Sequence, residues 1–240
     1  MNPYNYPEQN HQTMSSMALD TKVSQVMKRV YLKMFLALVV TGLTSWFVAG
    51  NVSLQHLVYG GKINYFIWVI IEFGLVIWIS AGLNKMKAST ATILFYLFSI
   101  VNGLMLSGIF IAYSLPSLAK TFFITAGTFG AMSVYGYFTN KDLTRWGSFL
   151  FMALIGLIIC SVVNIFWNNG TLGWIISIAG VLIFLGLTAW DTQKIKQMAL
   201  YAPEDSQTLG KLATIGALSL YLDFINLFLF LLRFFGNGRD

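Results

Sequence analysis

Apolar residues run through this chain in long blocks, without the alternation of apolar and polar positions that marks a strand. Seven blocks lie near residues 31–50, 63–83, 90–114, 119–138, 146–167, 172–194 and 212–235, bounded by Lys, Gly, Asn and Pro. Each is about 20 residues or longer, enough to cross the roughly 30 Å hydrocarbon core of a bilayer as a helix. A membrane β-barrel would show short strands of alternating polarity instead. The pattern predicts an all-α polytopic membrane protein with seven transmembrane helices. Ahead of the first block, Leu19, Val23, Val26 and Val30 share one helical face, so the first span is expected to be entered helically. Residues 1–18, "MNPYNYPEQNHQTMSSMA", are polar, lack the apolar centre of a signal peptide and are expected to form a flexible tail. Residues 19–240 then form a single seven-helix transmembrane domain.

Composition agrees: 57% of residues are hydrophobic and 10% charged, where a soluble domain carries about a quarter charged. The net charge of +6 adds orientation. Lys22, Lys28, Arg29, Lys33, Lys85, Lys87, Lys141, Arg145, Lys194, Lys196 and Lys211 fall on the N-terminal side of the spans. Lys62, Lys120, Arg233 and Arg239 fall on the other. Eleven against four predicts a cytoplasmic N terminus and, after seven crossings, an external C terminus. Scattered over short loops, these bases form no nucleic-acid patch.

Several chemistries drop out. Cys160 lies mid-span and is expected to be a small packed apolar residue. His11 is in the tail and His56 in a loop, so no histidine cluster awaits haem, zinc or copper. No phosphate-binding loop or serine nucleophile elbow is present. The pairs Gly103 and Ser107, Ala126 and Gly130, and Gly127 and Ala131 have the spacing that lets helices approach closely, which predicts packing.

Of the nine acids, three fall inside spans: Glu72, Asp191 and Asp223. A charge at the bilayer centre costs roughly 2.5–3.5 kcal/mol, so these must face the bundle, water or each other. Arg233 lies ten residues beyond Asp223, about 15 Å along the helix, and cannot pair with it. It is expected to snorkel to the headgroups. Asp191 is a better partner. The last two spans are antiparallel, and the midpoint of 191 and 223 falls at 207, near their connection. Ser219 and Asn226 extend a polar stripe through Asp223, and Thr188 lies one turn before Asp191. Two carboxyls held together in a low dielectric titrate as a unit. They can share a proton and latch two helices, or, once ionised, repel each other or recruit a hard cation such as Ca²⁺. The alternative is that Asp191 pairs with Lys194 one turn on. Glu72 has no local partner. It is either a pore-lining acid or a neutral acid bonded to a neighbouring helix.

"ALSLYLDFINLFLFLLRFFG" resembles the C-terminal signature of the Bax inhibitor family. "AWDTQKI" at 189–195 resembles that family's sixth-span element, and Asn102–Gly103 its third. The similarity covers the chain from about residue 20, and in form the chain is similar to the bacterial members. It implies six helices around a central seventh, in a bacterial inner (plasma) membrane, and a pH-sensitive calcium leak without cofactor. In that picture Asp191 and Asp223 match a di-aspartyl pH sensor, with Ca²⁺ permeant or bound there, and Glu72 matches an acid of the permeation path. One position departs. Where relatives carry an arginine that latches the aspartates, this chain has Leu83, with Lys85 and Lys87 nearest, and an ammonium lacks the guanidinium fork. Two other classes remain. Paired aspartates on consecutive spans suit an intramembrane protease, but the GxGD and PAL motifs are missing, so no enzyme is expected. The other is a non-conducting regulator that binds membrane proteases or stress-response partners, as some relatives do.

Overall fold

The computed structural model describes residues 8–238. They form eight helices: α1 (Glu8–Ala49), α2 (Val52–Tyr59), α3 (Lys62–Gly82), α4 (Ala88–Ala112), α5 (Leu115–Phe138), α6 (Thr144–Trp167), α7 (Gly170–Tyr201) and α8 (Ser206–Phe235). A helix bonds its own backbone, which is what a chain surrounded by hydrocarbon requires. Six helices are long and apolar enough to cross a membrane: α1 from Met17, α3, α4, α6, α7 and α8. The expected crossing at 119–138 is a helix of sufficient length. Lys120 and the run of Ser, Thr and Gly residues in α5 keep its hydropathy lower. The short α2 has no counterpart in the apolar pattern. Asn51 starts it by accepting the N–H groups of Ser53 and Leu54.

Helix α1 begins at Glu8, so residues 8–18, expected as part of a flexible tail, have helical backbone, while residues 1–7 of that expectation lie outside the described residues. Val23, Val26 and Val30 are buried as their spacing predicts. Leu19 is exposed, so the inward face starts one turn later than expected.

The bundle is built on α8. In the most apolar stretch of each span, 67% of α8 residues are buried, against 11% in α3 and 6% in α6. Helices α1, α4, α5 and α7 pack directly on α8, while α3 lies mainly on α4 and α6 on α7. The expectation of six helices around a seventh is thus corrected to four helices around α8, with two outside them. The outer position of α6 also leaves Cys160 exposed on the bundle surface, not packed as expected.

Small residues set the closest approaches. A Cβ at Gly103 would come within 2.8 Å of the Thr41 carbonyl oxygen. Its absence lets α1 lie against α4, where Thr41 and Ser45 donate to the carbonyls of Ser99 and Gly103 at 2.9 and 2.8 Å. A Cβ at Gly136 would overlap the Ala189 carbonyl, so α5 meets α7 backbone to backbone two residues before Asp191. Gly127 and Gly130, in contrast, face open space, and the two α5 pairs seen in the sequence bring no helix close.

At the end of the bundle where α3, α5 and α7 finish, lysines bond the last free carbonyls. Lys22 donates to Leu200 and Ala202, Lys196 to Tyr137 and Lys211 to Asn84. Cations there also meet the negative ends of three helix dipoles. Three of the eleven bases that weigh on orientation thus have a second, local reason for their position. The N-terminal pole of α8 is capped by Asp205, whose carboxylate accepts the Thr208 N–H at 2.8 Å. That contact holds the exposed Asp205 carboxyl below the usual carboxylate range. A depressed folded pKa contributes stability above the unfolded value and loses it as pH falls through the folded one. Asp205→Ala should therefore lower the thermal midpoint at neutral pH, with the difference from wild type narrowing on acidification below the usual carboxylate pKa.

Candidate functional site

Asp191 stands three turns before the end of α7 and Asp223 in the middle of α8. Between them and the connecting turn, the side chain of Ile195 seats against Gly216, whose lack of a Cβ brings the two helices together. Asp223 is 4% exposed, and Asp191 is half-buried. Their carboxyl groups lie in hydrogen-bond contact. Two carboxylates have no hydrogen between them, so this contact is bonding only while one carboxyl carries a proton and donates it. No N–H group and no hydroxyl of another residue type among the described residues donates to the buried Oδ2 of Asp223. Among the described residues, two other buried side-chain oxygens have no hydrogen-bond partner: Ser133 Oγ on α5 and Thr192 Oγ1 on α7. All three belong to helices that pack on one another. Nothing in the sequence marks Ser133 and Thr192, because a serine or threonine inside a span usually bonds its own helix.

That local bond is what the expected supporting stripe makes. Thr188 donates to the Phe184 carbonyl at 2.7 Å, and Asn226 donates to that of Leu222 at 2.8 Å. Ser219 is half-buried. The Thr188 hydrogen and one amide hydrogen of Asn226 are spent within α7 and α8, away from the dyad. The cation beside the dyad is Lys194, whose field reaches Asp191 while its ammonium sits 4.7 Å from the Trp190 ring centroid. Lys85 and Lys87 are exposed at the α3–α4 connection. A different lysine, half-buried, is held between helices. Lys33 donates to Thr92 at 2.6 Å and to Thr214 at 2.7 Å, joining α1, α4 and α8. Arg233 is exposed near the end of α8, with its guanidinium 5.9 Å from the Phe230 ring.

Glu72 finds its partner on the neighbouring helix, where Asn102 Nδ2 meets its Oε1. The contact continues inward. Tyr221 meets Asn102 Oδ1 at 3.0 Å, and Thr41 meets Tyr221 at 2.6 Å. Glu72, Asn102, Tyr221 and Thr41 thus connect α3, α4, α8 and α1. Tyr221 is fully buried, two residues from Asp223. By its charge the sequence singles out Glu72 alone, since an asparagine, a tyrosine and a threonine enter a span without that penalty.

Among the described residues, no group of three or more His, Cys, Asp or Glu side chains could hold a metal ion. The dyad alone would offer Ca²⁺ at most four carboxyl oxygens, where it usually takes about six to eight.

Comparison with known proteins gives a consistent result. Residues 23–240 match the family described as "Inhibitor of apoptosis-promoting Bax1". The chain is 45% identical over 214 residues to the inner membrane protein YbhL of Escherichia coli, covering 89% of this chain and 92% of that protein. An uncharacterized protein of Borreliella burgdorferi is 43% identical, with 90% and 94% of the two chains covered. One from Rickettsia prowazekii is 42% identical, with 95% and 96% covered.

Proposed function

The chain belongs to the Bax inhibitor family, and from that premise we propose that it is a pH-sensitive calcium leak gated by Asp191 and Asp223. One observation carries the reading: two carboxyls on adjacent membrane helices, one of them almost wholly enclosed, in contact with each other. A shared proton ties α7 to α8. Its loss leaves two like charges where a low dielectric makes repulsion strong. The helices then part, or a hard cation takes the proton's place. The unpartnered oxygens of Thr192 and Ser133 favour a polar visitor, because each costs about 1–3 kcal/mol while nothing bonds it. Glu72, half-buried on the outer helix α3, is a second acid along the permeation path. In this reading α5 is the seventh crossing, carried through the bilayer by its packing on α7 and α8. The protein lies in a bacterial inner membrane, as the name of its E. coli relative states for that protein. The basic excess supports a cytoplasmic N terminus and an external C terminus.

The test is Ca²⁺ release from vesicles containing the purified chain, titrated in pH beside protein-free vesicles. Release that exceeds the control and changes with pH is expected. A chain that is folded, inserted and silent at every pH would reject conduction, and the non-conducting regulator would take its place.

A further inference from the structure

The groups between Glu72 and Thr41 can each be donor or acceptor, so their hydrogens must be counted. Four contacts are involved: Glu72 with Asn102, Asn102 with Tyr221, Tyr221 with Thr41, and Thr41 with the Ser99 carbonyl. Suppose Glu72 is a carboxylate. Asn102 Nδ2–H donates to it, Tyr221 donates to Asn102 Oδ1, and the single Thr41 hydrogen must serve both Tyr221 and Ser99. One contact is left without a hydrogen. Suppose instead that Glu72 carries a proton and the Asn102 amide is turned over. Glu72 donates to Oδ1, Nδ2–H donates to Tyr221, Tyr221 to Thr41, and Thr41 to Ser99. Every contact is made. The amide's two ends have nearly the same shape, so the turn needs no repacking.

We propose that Asn102, Tyr221 and Thr41 are positioning residues for Glu72, forming a hydrogen-bond chain whose polarity reverses when Glu72 gains a proton. The proton state of an acid on α3 is thereby carried through α4 and α8 to α1. The surroundings leave Glu72 in control. Of the helices packed on α3, α4 carries no charged residue, and its titratable group is Tyr96. Helix α2 brings His56 and Tyr59, and the Tyr59 hydroxyl donates to the Met105 carbonyl at 2.8 Å. From α8 the titratable group that acts across to Glu72 is Tyr221 itself. The inference deepens the permeation role proposed for Glu72. Its readout is stability, so it can fail or stand whether or not the protein conducts.

The experiment is thermal unfolding of the purified full chain across pH. Thr41→Val removes the acceptor that Tyr221 needs when Glu72 is protonated. With Glu72 ionised, Tyr221 still donates to Asn102. The Thr41→Val penalty should therefore be larger at acid pH, a Tm loss of about 2–4 °C or more, and shrink as pH rises. A glutamine in place of Glu72 has both a donor and an acceptor at any pH, as the protonated acid does, so in an E72Q background the Thr41→Val penalty should stay at its acid-side size and be flat in pH. Thr41→Ser should restore wild-type behaviour. A Thr41→Val penalty equal at all pH, or one whose pH dependence survives in E72Q, would overturn the proposal. Infrared difference spectra of the wild type give a second reading if Thr41→Val does not fold. Protonation of Glu72, marked by the carboxylic band missing in E72Q, should shift the Tyr221 C–O band missing in Y221F. A Tyr221 band indifferent to Glu72 would reject the chain.

Discussion

Vesicles carrying Asp223→Asn should release Ca²⁺ at one rate across the whole range of pH over which the wild type changes. An asparagine amide donates to the Asp191 carboxylate at any pH, as a protonated Asp223 does. The variant is therefore expected to stay at the level the wild type reaches on the acid side. Asp191→Asn should give the same plateau, since the pair titrates as a unit and either amide supplies the missing hydrogen. The double variant should match the singles without adding to them. A dye-reported flux titration of all four proteins checks this. Wild-type pH dependence persisting in Asp223→Asn would remove the dyad from the gate, whatever the absolute rate.

The largest loss of stability is expected from Gly136→Ala. The obstruction is the Ala189 carbonyl, part of a helix backbone that cannot rotate away as a side chain would. Helix α5 must move off α7, and overpacking that forces side-chain and backbone shifts costs about 1–3 kcal/mol. Gly127→Ala is the control. It meets nothing within 4 Å, and alanine is the better helix former by about 0.8–1.0 kcal/mol. Thermal midpoints should therefore fall for Gly136→Ala and hold or rise for Gly127→Ala. Equal midpoints would mean that α5 and α7 are not held at backbone contact. Because Gly136 touches α7 two residues before Asp191, its variant should also alter the pH profile of flux, which Gly127→Ala should not.

Much of this was readable from residue types because a bilayer penalises them so unequally. Long apolar runs located seven of the eight helices, with ends that miss where polar residues extend α1, α7 and α8 beyond the apolar stretch, and the cost of a buried charge singled out Asp191, Asp223 and Glu72 from nine acids. Contact between Asp191 and Asp223 followed from an antiparallel hairpin, where depth is close to a matter of counting. Direction around the helix axis was harder. Ser219, Asn226 and Thr188 share a side with the aspartates, but a hydroxyl or amide can spend its hydrogen one turn back, and Thr188 and Asn226 do. Neutral groups were the main omission. Asn102, Tyr221 and Thr41 leave no trace in hydropathy or charge, and only the meeting of four helices shows that they are one system. Gly136 and Gly130 look alike in the sequence, and what separates them is the helix opposite.

The central position of α8 also bears on how the protein is made. A ribosome delivers α1, α4, α5 and α7 to the membrane before α8, the element on which all four pack. During that interval Thr41, Asn102 and Asp191 wait beside lipid or water without Tyr221 and Asp223, and Lys33 without Thr214. Assembly of this bundle therefore waits for α8. Its polar groups form a set of unfilled positions that admits α8 in one register, with Tyr221 at Asn102 and Asp223 at Asp191.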